Sequence, residues 1–163
     1  DYIIISRAPF PASVQRRDGI LEAIQRIAPQ ANYLGELAAG NRELIDAAET
    51  DLSELLANGT IPDAVLCVSD SCAYGATNAL SNADISTDDV FIVSASAEPF
   101  ALDLIRAHSY LRATVAIDRR ASSQLMVSAI IEMLAGEPVP ELLRYPPGDM
   151  ITEANVGSYD PTG

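Results

Sequence analysis

Apolar residues fall along the chain in two alternating rhythms. Short unbroken runs such as YIII, AVLCV and FIV are bounded by polar or turn-forming residues, whereas the segments between them place apolar side chains every three or four positions. An unbroken apolar run predicts a strand buried on both faces, and the wider spacing predicts a helix with one apolar stripe. Strands are therefore expected at residues 2–6, 32–37, 64–68, 90–93 and 113–117, and helices at 13–27, 42–57, 71–81, 99–107 and 120–135. Ser13 is placed to cap the first helix, Pro29 stops it, and Asn58 with Gly59 ends the second. A last extended piece is expected at 150–156, and 157–163 read as a loose tail.

Strict alternation of strands and helices predicts an α/β domain, a three-layer doubly wound parallel sheet of Rossmann-like form. With right-handed crossovers the simplest strand order is 2-1-3-4-5. In such a sheet a ligand sits beyond the carboxyl ends of the strands where the order reverses, here between the first and third. The tips at that crevice are residues 6–13 and 69–71, so VSDSCAYGATNAL turns Ser69, Asp70 and Ser71 toward it. Asp70 and Ser71 serve equally well as helix caps; Ser69 is the better ligand candidate. The fifth helix stands apart. Leu125, Met126, Val127, Ala129, Ile130, Ile131, Met133 and Leu134 cover most of its circumference, so one sheet face cannot bury it and it calls for a second partner.

Composition narrows the function. A formal net charge of -13 over 163 residues repels phosphate backbones and anionic lipid, which argues against a nucleic-acid partner. All basic residues are Arg, so no lysine is available for a phosphate loop or a Schiff base. Cys67 and Cys72 do not have the spacing of a metal site, and they read as small buried hydrophobes or as a strained local disulfide. Neither a cofactor nor a metal is called for. The opening DYIIIS has no initiator Met and no basic leader, so a signal peptide is expected to be absent or already removed.

Several segments taken together resemble a known family. RRDG (16–19), DAVLCVSDSCAYGATNAL (63–80), DDVFIVSASAEPFALDLIRAHSYLRATVAI (88–117), LAGE (134–137) and ITEANV (151–156) are similar to the C-terminal part of type 1 periplasmic sugar-binding proteins of the ribose-binding kind. The effector domains of the lactose-repressor class share that fold. The resemblance implies that residues 1–163 form one ligand-binding lobe of a two-lobed solute-binding protein. Such a protein would serve the membrane permease of an ABC importer, taking up a sugar or sugar-like small molecule in the interlobe cleft. It implies a periplasmic or extracytoplasmic location, as a secreted protein or lipoprotein, with the missing N-terminal lobe packed on helix 120–135. Without that lobe the chain is expected to form a homodimer through the helix.

Carried over position by position, the resemblance puts the family's RxxG arginine at Arg16. Ser69 takes the place of the asparagine in a strand-ending Asn-Asp pair, with Asp70 kept beside it. Ser96 replaces the aspartate of a Gly-Phe-Asp turn, and Ile117 replaces a polar residue after strand five. Shortened polar contacts imply either a ligand bulkier or less hydroxylated than a pentose, or a site that has decayed. Arg7 and Phe10 in the first loop would add charge and an apolar wall.

An enzyme is the weaker reading. His108, the lone histidine, lies at a helix end away from the strand tips, and there is neither a G-x-S-x-G nor a G-x-G-x-x-G motif. Asp84, Asp88 and Asp89 read as a solvated turn. The alternative function is a lactose-repressor-class effector domain, which would be cytoplasmic; the ending ITEANVGSYDPTG is closer to the transport branch.

Overall fold

The computed structural model describes residues 1–160 apart from 142 and 144–147. Eleven elements follow one another: β1 (Tyr2–Ser6), α1 (Pro11–Ile27), β2 (Tyr33–Ala38), α2 (Leu44–Ala57), β3 (Ala64–Cys67), α3 (Asp70–Asn82), β4 (Phe91–Ser96), α4 (Pro99–Arg106), β5 (Leu111–Ala116), α5 (Arg119–Leu134) and β6 (Met150–Thr152). The strands form one sheet of order β2-β1-β3-β4-β5-β6. The expected order 2-1-3-4-5 is present, parallel throughout, and β6 adds an antiparallel edge with Val115 opposite Met150. Only residues 150–152 of the expected last extended piece pair; Asn155 then folds back, its side-chain Nδ2 donating to the Met150 carbonyl at 2.9 Å.

Burial explains the pattern of the runs. Every residue of β1 is buried, as are Ala64–Cys67, because both sheet faces are covered at the centre. Edge strand β2 is largely exposed. α2, α3 and α4 pack on one side of the sheet, and α2 and α3 touch almost backbone to backbone. Gly75 makes that approach possible, since a Cβ there would lie 2.2 Å from the Ile45 carbonyl oxygen. Leu52, Leu80, Leu102 and Ile105 are fully buried on this side.

The other side is thinner. α1 lies against β1, and beside it a groove of about 620 Å³ runs over β4 and β5, lined by Ile20, Ala23, Val93, Ala113, Val115 and Met150 among others. α5 packs only lightly: Ala129 is its single buried residue, and Met126, Val127, Ile130, Ile131, Met133 and Leu134 are exposed.

Some boundaries differ from the sequence reading. α1 begins at Pro11, with Phe10 as its N-cap, and buried Ser13 instead accepts a hydrogen bond from the Arg7 amide at 2.7 Å. Proline fits the first helical position because the amide it lacks has no partner there. β4 runs on to Ser96, through serines that look like loop residues. The expected loose tail is partly packed: Val156 just before it is buried and Tyr159 rests on the core, while 161–163 lie outside the described residues.

Candidate functional site

The carboxyl ends of β1, β3, β4 and β5 form one edge of the molecule, and most of the candidate residues gather there. Arg16, one turn into α1, donates from Nη1 to the Val68 carbonyl oxygen at 2.8 Å, just past the end of β3. Its other guanidinium N–H groups have no partner among the described residues, and the side chain borders the groove with Ile117 and Asp118. Arg17, by contrast, is engaged on the other side of α1. It makes two hydrogen bonds to Asp18 and one of 3.2 Å to Glu36, which also accepts from the Ser6 hydroxyl. The Asp18 contact and the nearby Glu36 charge raise the Arg17 pKa against the smaller opposing effect of burial.

The first loop is self-contained. The Arg7 guanidinium carbon stands 4.7 Å from the centre of the Phe10 ring, a cation–π contact. Phe10 is 44% exposed, and Arg7 Nε is buried without a partner among the described residues. Both lie in the loop that follows β1, but no hydrogen bond ties them to Arg16.

Ser69 is the N-cap of α3 and is half buried. Its amide donates to Cys72 Sγ at 3.4 Å, and the Cys72 thiol donates back to its carbonyl at 3.0 Å. Both cysteines are free and buried. Burial pushes the Cys67 thiol well up. At Cys72 burial acts the same way but is outweighed by hydrogen bonds from Cys67, Ser69 and the first-turn amides, which hold its pKa below the ordinary value. This fits a thiol at a helix N-terminus.

Asp70 departs from both expectations for it. Its carboxylate does not cap its own helix and is not presented at the edge: it is 0% exposed and both its oxygens are occupied. Oδ1 accepts from Thr114 Oγ1 at 2.7 Å and from Ser94 Oγ at 2.5 Å, and Oδ2 accepts from the Glu98 amide at 2.7 Å. A buried carboxylate without a cation is costly unless its lone pairs are satisfied. Here three donors do so, and two helix N-termini converge on it, since Asp70 is the first residue of α3 and Glu98 is the N-cap of α4.

Ser96 ends β4 just beyond that carboxylate. Its φ is 136° and that of Ala97 is 52°, two successive non-glycine residues in a region that costs on the order of 1–3 kcal/mol each. The Ala97 amide donates to Thr114 Oγ1 at 3.3 Å. Arg119 reaches across the same tip to Glu98 at 2.7 Å. His108 is remote, at the carboxyl end of α4, where it pairs with exposed Glu153 at 2.9 Å.

A polar rim at the carboxyl ends of a doubly wound sheet, with a guanidinium only partly engaged among the described residues and an open apolar side, has the form of a small-molecule site. A model of the periplasmic binding protein domain matches residues 1–138. The chain belongs to the periplasmic binding protein family. No curated protein matches it. Among solved structures, the Caulobacter myo-inositol binding protein is similar to this lobe at 23% identity and a TM-score of 0.81, over 96% of this chain and 52% of that one. An ABC transporter solute binding protein from Bacillus halodurans with bound myo-inositol follows at 24% and 0.78, over 97% and 53%. An ABC transporter periplasmic solute binding protein from Actinobacillus succinogenes with bound D-allose stands at 18% and 0.80, over 97% and 54%. This periplasmic binding protein chain thus spans about half the length of those structures.

Two features of the lobe escaped the sequence reading. Thr114 and Ser94 sit in apolar strands, and their shared face becomes visible only once the β4–β5 register pairs Ser94 with Thr114. Asp118 borders the groove and caps α5, accepting from the Ala121 amide at 2.7 Å; an Asp two positions past a strand and just before a helix was the signal for it.

Proposed function

We propose that this chain is one lobe of a solute-binding protein that takes a sugar or sugar-like molecule at the carboxyl ends of β1, β3 and β4 and delivers it to an ABC importer. The observation that carries the reading is Arg16: a guanidinium fixed at 2.8 Å on the Val68 carbonyl, at the edge where the sheet order reverses, with its remaining donors unpaired among the described residues. A planar fork of donors suits the paired hydroxyls of a sugar or an anionic substituent. Ser69 and Ser96 supply short polar contacts, and Phe10 over Arg7 an apolar side wall. Chemistry is not needed for this task, and the lobe acts as a binding module in an extracytoplasmic compartment. Structural relatives about twice its length and with bound sugars or inositol support the reading.

In the two-lobed protein the exposed face of α5 would be covered by the other lobe. The 163-residue chain alone self-associates through it. The binding claim is tested by calorimetry of the two-lobed protein with D-allose, myo-inositol and L-arabinose. Arg16→Ala is expected to weaken binding of the accepted sugar by about 1.5–3 kcal/mol, roughly 10- to 100-fold. Unchanged affinity would remove Arg16 from the site.

A further inference from the structure

We infer that Asp70, fully buried behind the strand tips, is the positioning residue of the site: it holds the end of β4 in the backbone conformation that presents Ser96. The sugar-binding role of that tip rests on the function proposed above; the clamp itself rests on geometry alone.

Four connections make the clamp. Oδ1 binds the hydroxyls of Ser94 in β4 and Thr114 in β5, tying two neighbouring strands on one face. Oδ2 binds the Glu98 amide, on the far side of the turn. Thr114 relays a further contact, since its hydroxyl oxygen, while donating to Asp70, accepts from the Ala97 amide. Consecutive amides at 97 and 98 are thus drawn to one buried carboxylate and its hydroxyl relay. Between these amides and Ser94 lie Ala95 and Ser96, so the polypeptide must turn sharply there, and Ser96 and Ala97 take φ values of 136° and 52°. Neither residue favours such a backbone on its own. A conformation of this kind persists when its surroundings over-determine it, and the carboxylate is what does so here. Because Asp70 directly follows Ser69, the same residue fixes the spacing between the tips of β3 and β4.

Donor and acceptor counting makes the role separable from simple bulk. Asparagine matches aspartate in shape, but its NH₂ has no lone pair. In Asp70→Asn the NH₂ either meets the Glu98 amide donor to donor, or donates to the hydroxyls of Ser94 and Thr114, whose own protons then lose the acceptor the carboxylate gave them. Thr114→Val keeps volume and leaves the carboxylate in place, but removes the relay to Ala97. Thr114→Ser retains the hydroxyl.

The experiment is residue-resolved amide hydrogen exchange by NMR on the whole chain. In Asp70→Asn, exchange at Ala97 and Glu98 is expected to accelerate at least tenfold, while Ile4, Ile5 and Leu52 keep their protection. In Thr114→Val, acceleration is expected at Ala97 and not at Glu98, and in Thr114→Ser at neither. Unchanged exchange at both amides in Asp70→Asn, or equal acceleration throughout the molecule, overturns the clamp. Should Asp70→Asn fail to fold, the contrast between Thr114→Val and Thr114→Ser decides, and identical exchange at Ala97 in those two has the same consequence. Titration of wild type and Asp70→Asn in the two-lobed protein with D-allose and myo-inositol forms the second arm. Weaker binding by the variant is expected, at least tenfold. Full affinity alongside loosened amides would show that the clamp does not serve the site. A wild-type protein that takes neither sugar, with exchange still altered only at Ala97 and Glu98, would remove the sugar reading and leave the clamp standing.

Discussion

Thr114 and Val115 are neighbours in β5, yet one is 0% exposed and the other 38%. They look out on opposite sides of the sheet. Thr114 faces the side sealed by α2, α3 and α4, where its hydroxyl meets Asp70; Val115 faces the groove beside α1. One side of this lobe is thus a finished core, and the other is an apolar surface of the kind proteins reserve for contact. The difference teaches where the stability of the chain resides and which of its surfaces is left open.

The comparison breaks first on the sealed side. Leu52 in α2 is fully buried, and truncating it leaves a cavity that the close α2–α3 packing cannot collapse to fill. Leu52→Ala is expected to lower unfolding free energy by about 2–5 kcal/mol in a urea titration. A loss below 1 kcal/mol would mean that this side is no better packed than the groove side. Gly75→Val should fall in the upper part of the same range, because its side chain would have to displace the Ile45 carbonyl.

A paired test within β5 sharpens the contrast. Thr114→Val strips a buried hydroxyl that both donates and accepts, and is expected to cost about 1–3 kcal/mol. Val115→Ser, one position along, alters a partly exposed groove residue and is expected to cost under about 1 kcal/mol. The two costs, measured in one denaturation series, would converge if the two sides were equivalent.

What the sequence revealed follows the same division. The strands stand out because β1 and β3 are buried on both faces and so read as unbroken apolar runs, and right-handed crossovers leave little freedom in the order. The unusual circumference of α5 was equally legible, since Ile130 and Ile131, adjacent in sequence, cannot share one narrow stripe. The chemistry of the tip was less so. Asp70 directly follows a helix N-cap, and local spacing cannot distinguish a carboxylate that serves its own helix from one that reaches 24 and 44 residues along the chain to Ser94 and Thr114. Nor does a serine announce a φ of 136°; nothing in VSAS predicts it, because the constraint comes from other elements.

The smallest stability effect belongs to α5, where the contrast between sealed and open surfaces is widest. Leu134 is 85% exposed and Ile131 61%, so little of their apolar area leaves water when the isolated lobe folds. Ile131→Glu with Leu134→Glu should therefore change unfolding free energy by no more than about 0.5 kcal/mol. Association is another matter, because a partner covering α5 would bury both side chains, and carboxylates in their place would have to be desolvated. Light scattering should find the wild-type chain self-associated and the double variant monomeric at the same concentration. A wild-type chain already monomeric at high concentration would show that the α5 surface is tolerated in water and is not an interface between copies. A variant that unfolds would show instead that α5 is part of the core, and the division between the two sides of this lobe would have to be redrawn.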